Sequence, residues 1–196
     1  MLRYIYGQEL HKFPKLSKSM FQSRAEQFSG RLGWDVDVDD DGCERDEYDA
    51  INPMYVIWEG KSGEHLGSYR LLPTFGQTLL NDHFAHLMDG APFVSPHIWE
   101  CTRFCLGAGA GRQVAAGLFL SGVPLLERFG LAGVVGVFDK PMLRVYAAIG
   151  AAPEIIATDG TTSVGTWAPD ADTVDRIATK FDIDMDRIQS WCDASI

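Results

Sequence analysis

The run from residue 98 to 150 constrains the fold most. "IWECTRFCL" (98 to 106) is apolar and aromatic enough for a buried strand, and "GAGAGR" (107 to 112) turns it into a segment from about 112 to 129. That segment carries an apolar helical face of Val114, Leu118, Leu125 and Phe129, with Pro124 placed to kink or split it. "LAGVVGVF" (131 to 138) is a second buried strand, followed by "KPMLRVYAAIG", a helix with Pro141 near its first turn and Gly150 as its stop. Strand, crossover helix, strand implies parallel or mixed pairing, with helices covering both faces of the sheet. Inside the first strand stand Glu100 and Arg103, three positions apart. In a regular strand such residues point to opposite faces and share no site.

The flanking elements follow the same grammar. Residues 14 to 32 read as an amphipathic helix with Leu16, Met20, Ala25, Phe28 and Leu32 at helical spacing. "MYVIWE" (54 to 59) and "HLGSYRLL" (65 to 72) form a hairpin through "KSGE". A short helix is expected over 78 to 90, a strand around 162 to 168 and an acidic helix around 170 to 180. The loop from 35 to 49, "DVDVDDDGCERDEYD", is too charged to pack and should fold over something.

Length and composition set the class. A chain of 196 residues with 46% hydrophobic side chains can bury a sizeable core and is read as one domain over 1–196. It lacks both a membrane-spanning apolar run and the apolar start of a signal peptide, so a soluble cytoplasmic protein is expected. Four cysteines without a CxxC pair, and without ligand spacing to the five histidines, argue against zinc and against a disulfide framework. The net charge of −10 argues against nucleic-acid binding. Charge is nevertheless uneven: residues 1 to 31 hold six basic side chains against two acids, whereas residues 35 to 49 hold nine acids against Arg45 alone. Such asymmetry can steer an acidic partner to one end. The "GAGAGR" turn resembles phosphate-cradling loops, but its evenly spaced glycines are not the dinucleotide fingerprint and no Walker lysine follows.

Several motifs stand in order along the chain. Arg24, Phe28 and Trp34 come first; then "ERDEYD" with Glu44, Asp46 and Asp49; then "GSYRLLPT" with Arg70; then "WECTRF" with Glu100 and Arg103. This set resembles the acyl-homoserine-lactone synthases, the LuxI-type autoinducer synthases, over about residues 20 to 150. The resemblance implies an N-acetyltransferase (GNAT)-like fold: three layers, α-β-α, on a mixed sheet whose two central parallel strands splay into a V that admits a phosphopantetheine arm. It also implies a reaction. The amine of S-adenosylmethionine is acylated from an acyl-carrier-protein or acyl-CoA thioester. Its carboxylate then closes the lactone, releasing methylthioadenosine as a quorum-sensing signal is made. S-adenosylmethionine is a substrate here, and no cofactor, metal or membrane insertion is expected.

Roles follow from that chemistry. An α-amine with a reference pKa of ~8 must lose a proton before it attacks, and Glu100, raised by burial among Trp99, Phe104 and Leu106, is the candidate base, acting directly or through a water. Phe28 and Trp34 suit a sulfonium and an adenine by stacking and cation–π attraction. Asp46 and Asp49 either hold the ammonium group or order Arg24, Arg70 and Arg103 in a charged cluster. Leu118, Val135, Val137 and Met142 are candidates for the acyl-chain pocket, and Arg112, Lys140 and Arg144 for contact with an acidic carrier protein. Many members that prefer 3-oxo chains carry a Thr where this chain has Gly136, which points to a donor without the 3-oxo group. Two alternatives stay open: a GNAT-type N-acetyltransferase using acetyl-CoA and another amine, and a non-catalytic module binding an acidic partner through its basic N-terminal region. For Glu100 and Arg103 the geometry is also open. Either the strand is bulged and both reach one cleft, or they serve separate faces.

Overall fold

The computed structural model describes all 196 residues. Seven strands form one mixed sheet: β1 (Leu2–Tyr6), β2 (Met54–Glu59), β3 (His65–Pro73), β4 (Ile98–Leu106), β5 (Gly133–Asp139), β6 (Glu154–Thr158) and β7 (Thr162–Trp167). Their order across the sheet is β1-β2-β3-β4-β5-β7-β6, antiparallel at every step except β4 with β5. The parallel pair is where the crossover from 107 to 132 was expected to place it. Its ladder runs only from Ile98 opposite Gly133 to Glu100 opposite Val135, and beyond that point the two strands diverge into a V.

Helices cover both faces, in the three-layer arrangement expected. On one face lie α1 (Pro14–Ala25) and α2 (Leu79–His83). Pro14 opens α1, where its missing N–H costs nothing. Leu16, Met20 and Phe21 then press onto Ile5, Tyr55 and Ile57. The opposite face carries α3 (Arg112–Leu120), α4 (Val123–Phe129), α5 (Met142–Ile149), α6 (Ala171–Phe181) and α7 (Met185–Asp193). Their residues Leu118, Leu125, Ile149, Ile177 and Ile188 share one core with Leu2, Tyr4, Val56 and Leu71. Each such aliphatic side chain removed from water contributes roughly 1.5–3 kcal/mol.

Several expected elements differ in detail. The helix read over 14 to 32 ends at Ala25 and continues as a π-helical turn, Glu26–Arg31, that carries buried Phe28. The segment 78 to 90 is α2 followed by a 3-10 turn, Ala85–Met88. The long helix of 112 to 129 is split into α3 and α4 by Ser121 and Gly122, with Pro124 in the first turn of α4. The acidic loop divides, since residues 35 to 42 are exposed or half-buried whereas Cys43, Glu44 and Tyr48 are buried. β1, β6 and α7 had no expectation attached to them.

Candidate active site

A bulge in β4 resolves the geometry of Glu100 and Arg103. Arg70 of β3 lies opposite Thr102 and Ser68 opposite Cys105, so Arg103 and Phe104 together oppose Tyr69. Arg103 takes the left-handed conformation, φ 54°, which costs a non-glycine residue about 1–2 kcal/mol. The extra residue turns Thr102 and Arg103 to the α1 face together. Phe104 and Leu106 thereby rejoin Trp99 and Cys101 against the opposite core. Strict alternation would have put Phe104 and Leu106 on the face of Glu100; they are on the other, and Cys105, whose thiol donates to Ser23 O at 3.4 Å, is on the α1 face.

What holds Arg103 in that conformation is a cage of three arginines and three carboxylates. Arg24 Nε donates to Glu44 Oε2 at 2.5 Å, and its two terminal nitrogens bind Asp49 at 2.9 Å each. Arg70 donates to both oxygens of Asp46, to Asp49 Oδ1 at 2.7 Å and to Thr102 Oγ1 at 3.0 Å. Arg103 completes the set, reaching Glu44 Oε1 at 3.0 Å and Asp46 Oδ2 at 2.8 Å. Tyr55 donates to Asp49 Oδ1 at 2.5 Å, and Asp46 caps the short turn Glu47–Asp49. All six carboxylate oxygens therefore accept from an arginine. The charges cancel, as burial demands. Burial alone would raise the Asp49 carboxyl, yet Arg24, Arg70 and Tyr55 hold it well below the usual carboxylate range. Asp46 and Asp49 are thus both engaged by arginines.

Glu100 has a different environment. It is fully buried on the α1 face, and its carboxylate accepts from the backbone N–H of Leu79 at 2.9 Å and of Leu80 at 2.6 Å, the first turn of α2. Burial pushes its carboxyl up to about 7, while the two N–H bonds and Arg70 pull the other way.

A cavity of about 190 Å³ opens where β4 and β5 separate. It passes through the sheet. Phe28, Trp34, Thr102 and Arg103 line it on the α1 side, and Leu118, Leu125, Met142 and their neighbours line it on the other. Phe28 and Trp34 stack at 5.2 Å, nearly parallel, and the Arg103 guanidinium lies 5.3 Å from the Phe28 ring. Trp34 Nε1 donates to Asp139 Oδ2 at 3.1 Å, which joins the segment after α1 to the end of β5.

The expected residues thus divide. Phe28, Trp34 and Arg103 line the cavity; Arg24, Arg70, Asp46 and Asp49 stand behind it in the cage. Leu118, Val137 and Met142 line it too, but Val135 does not: it packs with Leu80 and Val164 on the α1 face, because the splay begins only after it. Glu100 is also not part of the lining. Arg112, Lys140 and Arg144 are exposed at the start of α3, the end of β5 and the start of α5. Glu44, given no role in advance, is fully buried at the centre of the cage, and its first place in E-x-D-x-x-D was the available signal. Tyr55 and Asp139 carried no signal; a strand tyrosine and an acidic residue at a strand end are ordinary.

Residues 8–168 match a family model described as autoinducer synthase. An acyl-homoserine-lactone synthase from Rhizobium etli is 42% identical over 183 residues, covering 88% of this chain and 86% of its own length. Among solved structures, the CoA-dependent acyl-homoserine lactone synthase BjaI, with SAM and isopentyl-CoA, superposes with a TM-score of 0.79 at 21% identity, over 93% of this chain and 90% of its own. TofI, in a ternary complex with an inhibitor and MTA, gives a TM-score of 0.70 at 27% identity, over 94% of this chain and 98% of its own.

Proposed function

The chain belongs to the autoinducer synthase family and is an acyl-homoserine-lactone synthase, an acyltransferase, and from that premise we propose how its residues divide the work. S-adenosylmethionine sits on the α1 side of the cavity and the acyl chain on the other, with the thioester at the V between β4 and β5. The observation that carries this reading is the cavity itself, which crosses the sheet and changes from aromatic and charged to almost wholly apolar as it does so.

Trp34, backed by the stacked ring of Phe28, offers an electron-rich face to the sulfonium and adenine, a contact worth ~0.5–2 kcal/mol. The cage fixes Arg103 rather than adding net charge, so the binding wall is rigid before substrate arrives. The amine nitrogen attacks the thioester carbon and the tetrahedral oxyanion collapses with loss of the thiolate. The unprotonated amine, once it has attacked, sheds a proton through a water to Glu100, whose elevated pKa suits a base working near neutral pH, and Glu100 returns that proton to the thiolate, which leaves as the thiol. In the second step the methionyl carboxylate attacks its own γ-carbon. The C–S bond breaks and neutral methylthioadenosine leaves, with no further proton transfer.

The N–H bonds from Leu79 and Leu80 favour a second reading of Glu100, as the anchor of α2. The pH profile of Glu100→Gln separates the two: a base gives an ascending limb near pH 7 that the variant lacks, whereas an anchor gives profiles of one shape with a lower melting temperature.

For the donor we favour an acyl-carrier protein over acyl-CoA, with Arg112, Lys140 and Arg144 meeting its acidic surface. Gly136 supports a donor without the 3-oxo group, since a Cβ there would stand 2.9 Å from Cys101 O across the V. No helix is long and apolar enough to cross a membrane, and we place the reaction in the cytoplasm, with its substrates.

A further inference from the structure

The acyl half of the cavity is almost wholly apolar, and its few polar side chains are nearly all engaged. Trp167 Nε1 donates to Ala151 O at 2.9 Å, and the Tyr69 hydroxyl is bonded to Ser121 Oγ at 3.0 Å. Tyr146 is different. It projects from α5 into the cavity wall, its ring 5.0 Å from Trp167, 5.3 Å from Phe138 and 6.4 Å from Phe104, and its hydroxyl has no hydrogen-bond partner in the protein. The one sealed side-chain nitrogen or oxygen without a partner is His65 Nδ1, so the Tyr146 oxygen is open to space rather than walled in. Burial pushes its phenol up, which keeps it a hydrogen-bond donor at every working pH.

When an acyl chain fills the cavity and displaces solvent from this open phenol, the phenol is disfavoured against a phenylalanine of the same shape, unless the chain itself supplies the partner. We propose that Tyr146 is a specificity-determining residue whose hydroxyl hydrogen-bonds a hydroxyl substituent on the acyl chain. This rests on the synthase reading above. The three rings around Tyr146 belong to β4, β5 and β7 close to the V, so the oxygen recognised lies on the first few carbons beyond the thioester. A site that bonds a substrate oxygen discriminates against the analogue lacking it more sharply than an apolar wall discriminates between chain lengths.

The test supplies S-adenosylmethionine with acyl thioesters of one length that are unsubstituted, hydroxylated or oxo-substituted at the β-carbon, and reads kcat/KM for lactone formation. The wild-type enzyme should favour the hydroxylated donor over the unsubstituted one by about tenfold, the worth of one hydrogen bond. Tyr146→Phe should bring that ratio within about twofold of unity, and a wild-type preference for the oxo donor over the hydroxylated one overturns the assignment of the group. Phe keeps the ring contacts, and an unchanged melting temperature confirms the fold. A flat wild-type ratio, or a Phe variant that keeps the wild-type ratio, overturns the proposal while lactone still forms. Lactone from none of the three donors takes down the synthase reading together with it.

Discussion

The guanidinium of Arg103 reaches Glu44 at 3.0 Å although residue 103 holds a left-handed backbone inside a β-strand. The strain and the ion pair are one device: the bulge aims the side chain, and the cage holds the bulge in place. Arg103→Ala leaves Glu44 and Asp46 short of donors in a buried site, and should cost about 3–5 kcal/mol in urea unfolding. A loss below about 1 kcal/mol would mean that solvent or the remaining arginines satisfy those carboxylates.

Neutrality of the cage makes a double-variant prediction. Arg24→Leu and Asp49→Leu should each destabilise strongly, because each strands a buried charge. Combined, they should destabilise by less than the sum of the two, with a coupling of about 1–3 kcal/mol. Additivity within about 0.5 kcal/mol would contradict the cage as described.

Glu100 links stability to pH. Its carboxyl is raised in the folded protein to about 7, from an ordinary value of 4.5. The folded state therefore binds the proton more tightly than the unfolded chain does. The resulting stabilisation is fully present below pH 4.5 and is lost as pH rises through about 7. The span of this effect is roughly 3 kcal/mol at 1.36 kcal/mol per pKa unit. Unfolding free energies of wild type and Glu100→Gln measured from pH 4.5 to 8 should diverge in that sense, with the variant gaining relative to wild type as pH rises. Parallel curves would show an ordinary carboxyl.

Trp34 contacts the cavity at its aromatic mouth and is tied to Asp139. Trp34→Ala should raise KM for S-adenosylmethionine by about fivefold, in keeping with ~1 kcal/mol of stacking and cation–π attraction, and should change KM for the acyl donor much less. Trp34→Phe should recover most of the loss. Equal effects on both substrates would place Trp34 in the structural support of the V instead.

The layout of the sheet was legible because long apolar segments alternate with helical ones; the parallel pair β4 and β5 follows from the crossover between them. The cage was legible in part. Arg24, Asp46, Asp49, Arg70 and Arg103 were named together through the family motifs, but residue spacing alone cannot say that six oxygens meet three guanidiniums. The bulge at Arg103 was visible only as a conflict between Glu100 and Arg103, since no glycine or asparagine marks the left-handed position. Val135 was misplaced because alternation along β5 says nothing of where the splay starts. Edge strands β1 and β6 escaped because "LRYIY" and "EIIAT" are too short to show a period, and α7 because its apolar residues are diluted among charges.

The most direct test of the account is a balanced assay of the purified protein with S-adenosylmethionine and an acyl thioester. Free thiol, methylthioadenosine and lactone are followed together by mass spectrometry. The three products should appear in equal amounts, and none of them should accumulate when either substrate is left out. Thiol release with an acylated amine and no methylthioadenosine, across carrier-borne and CoA donors alike, would contradict it.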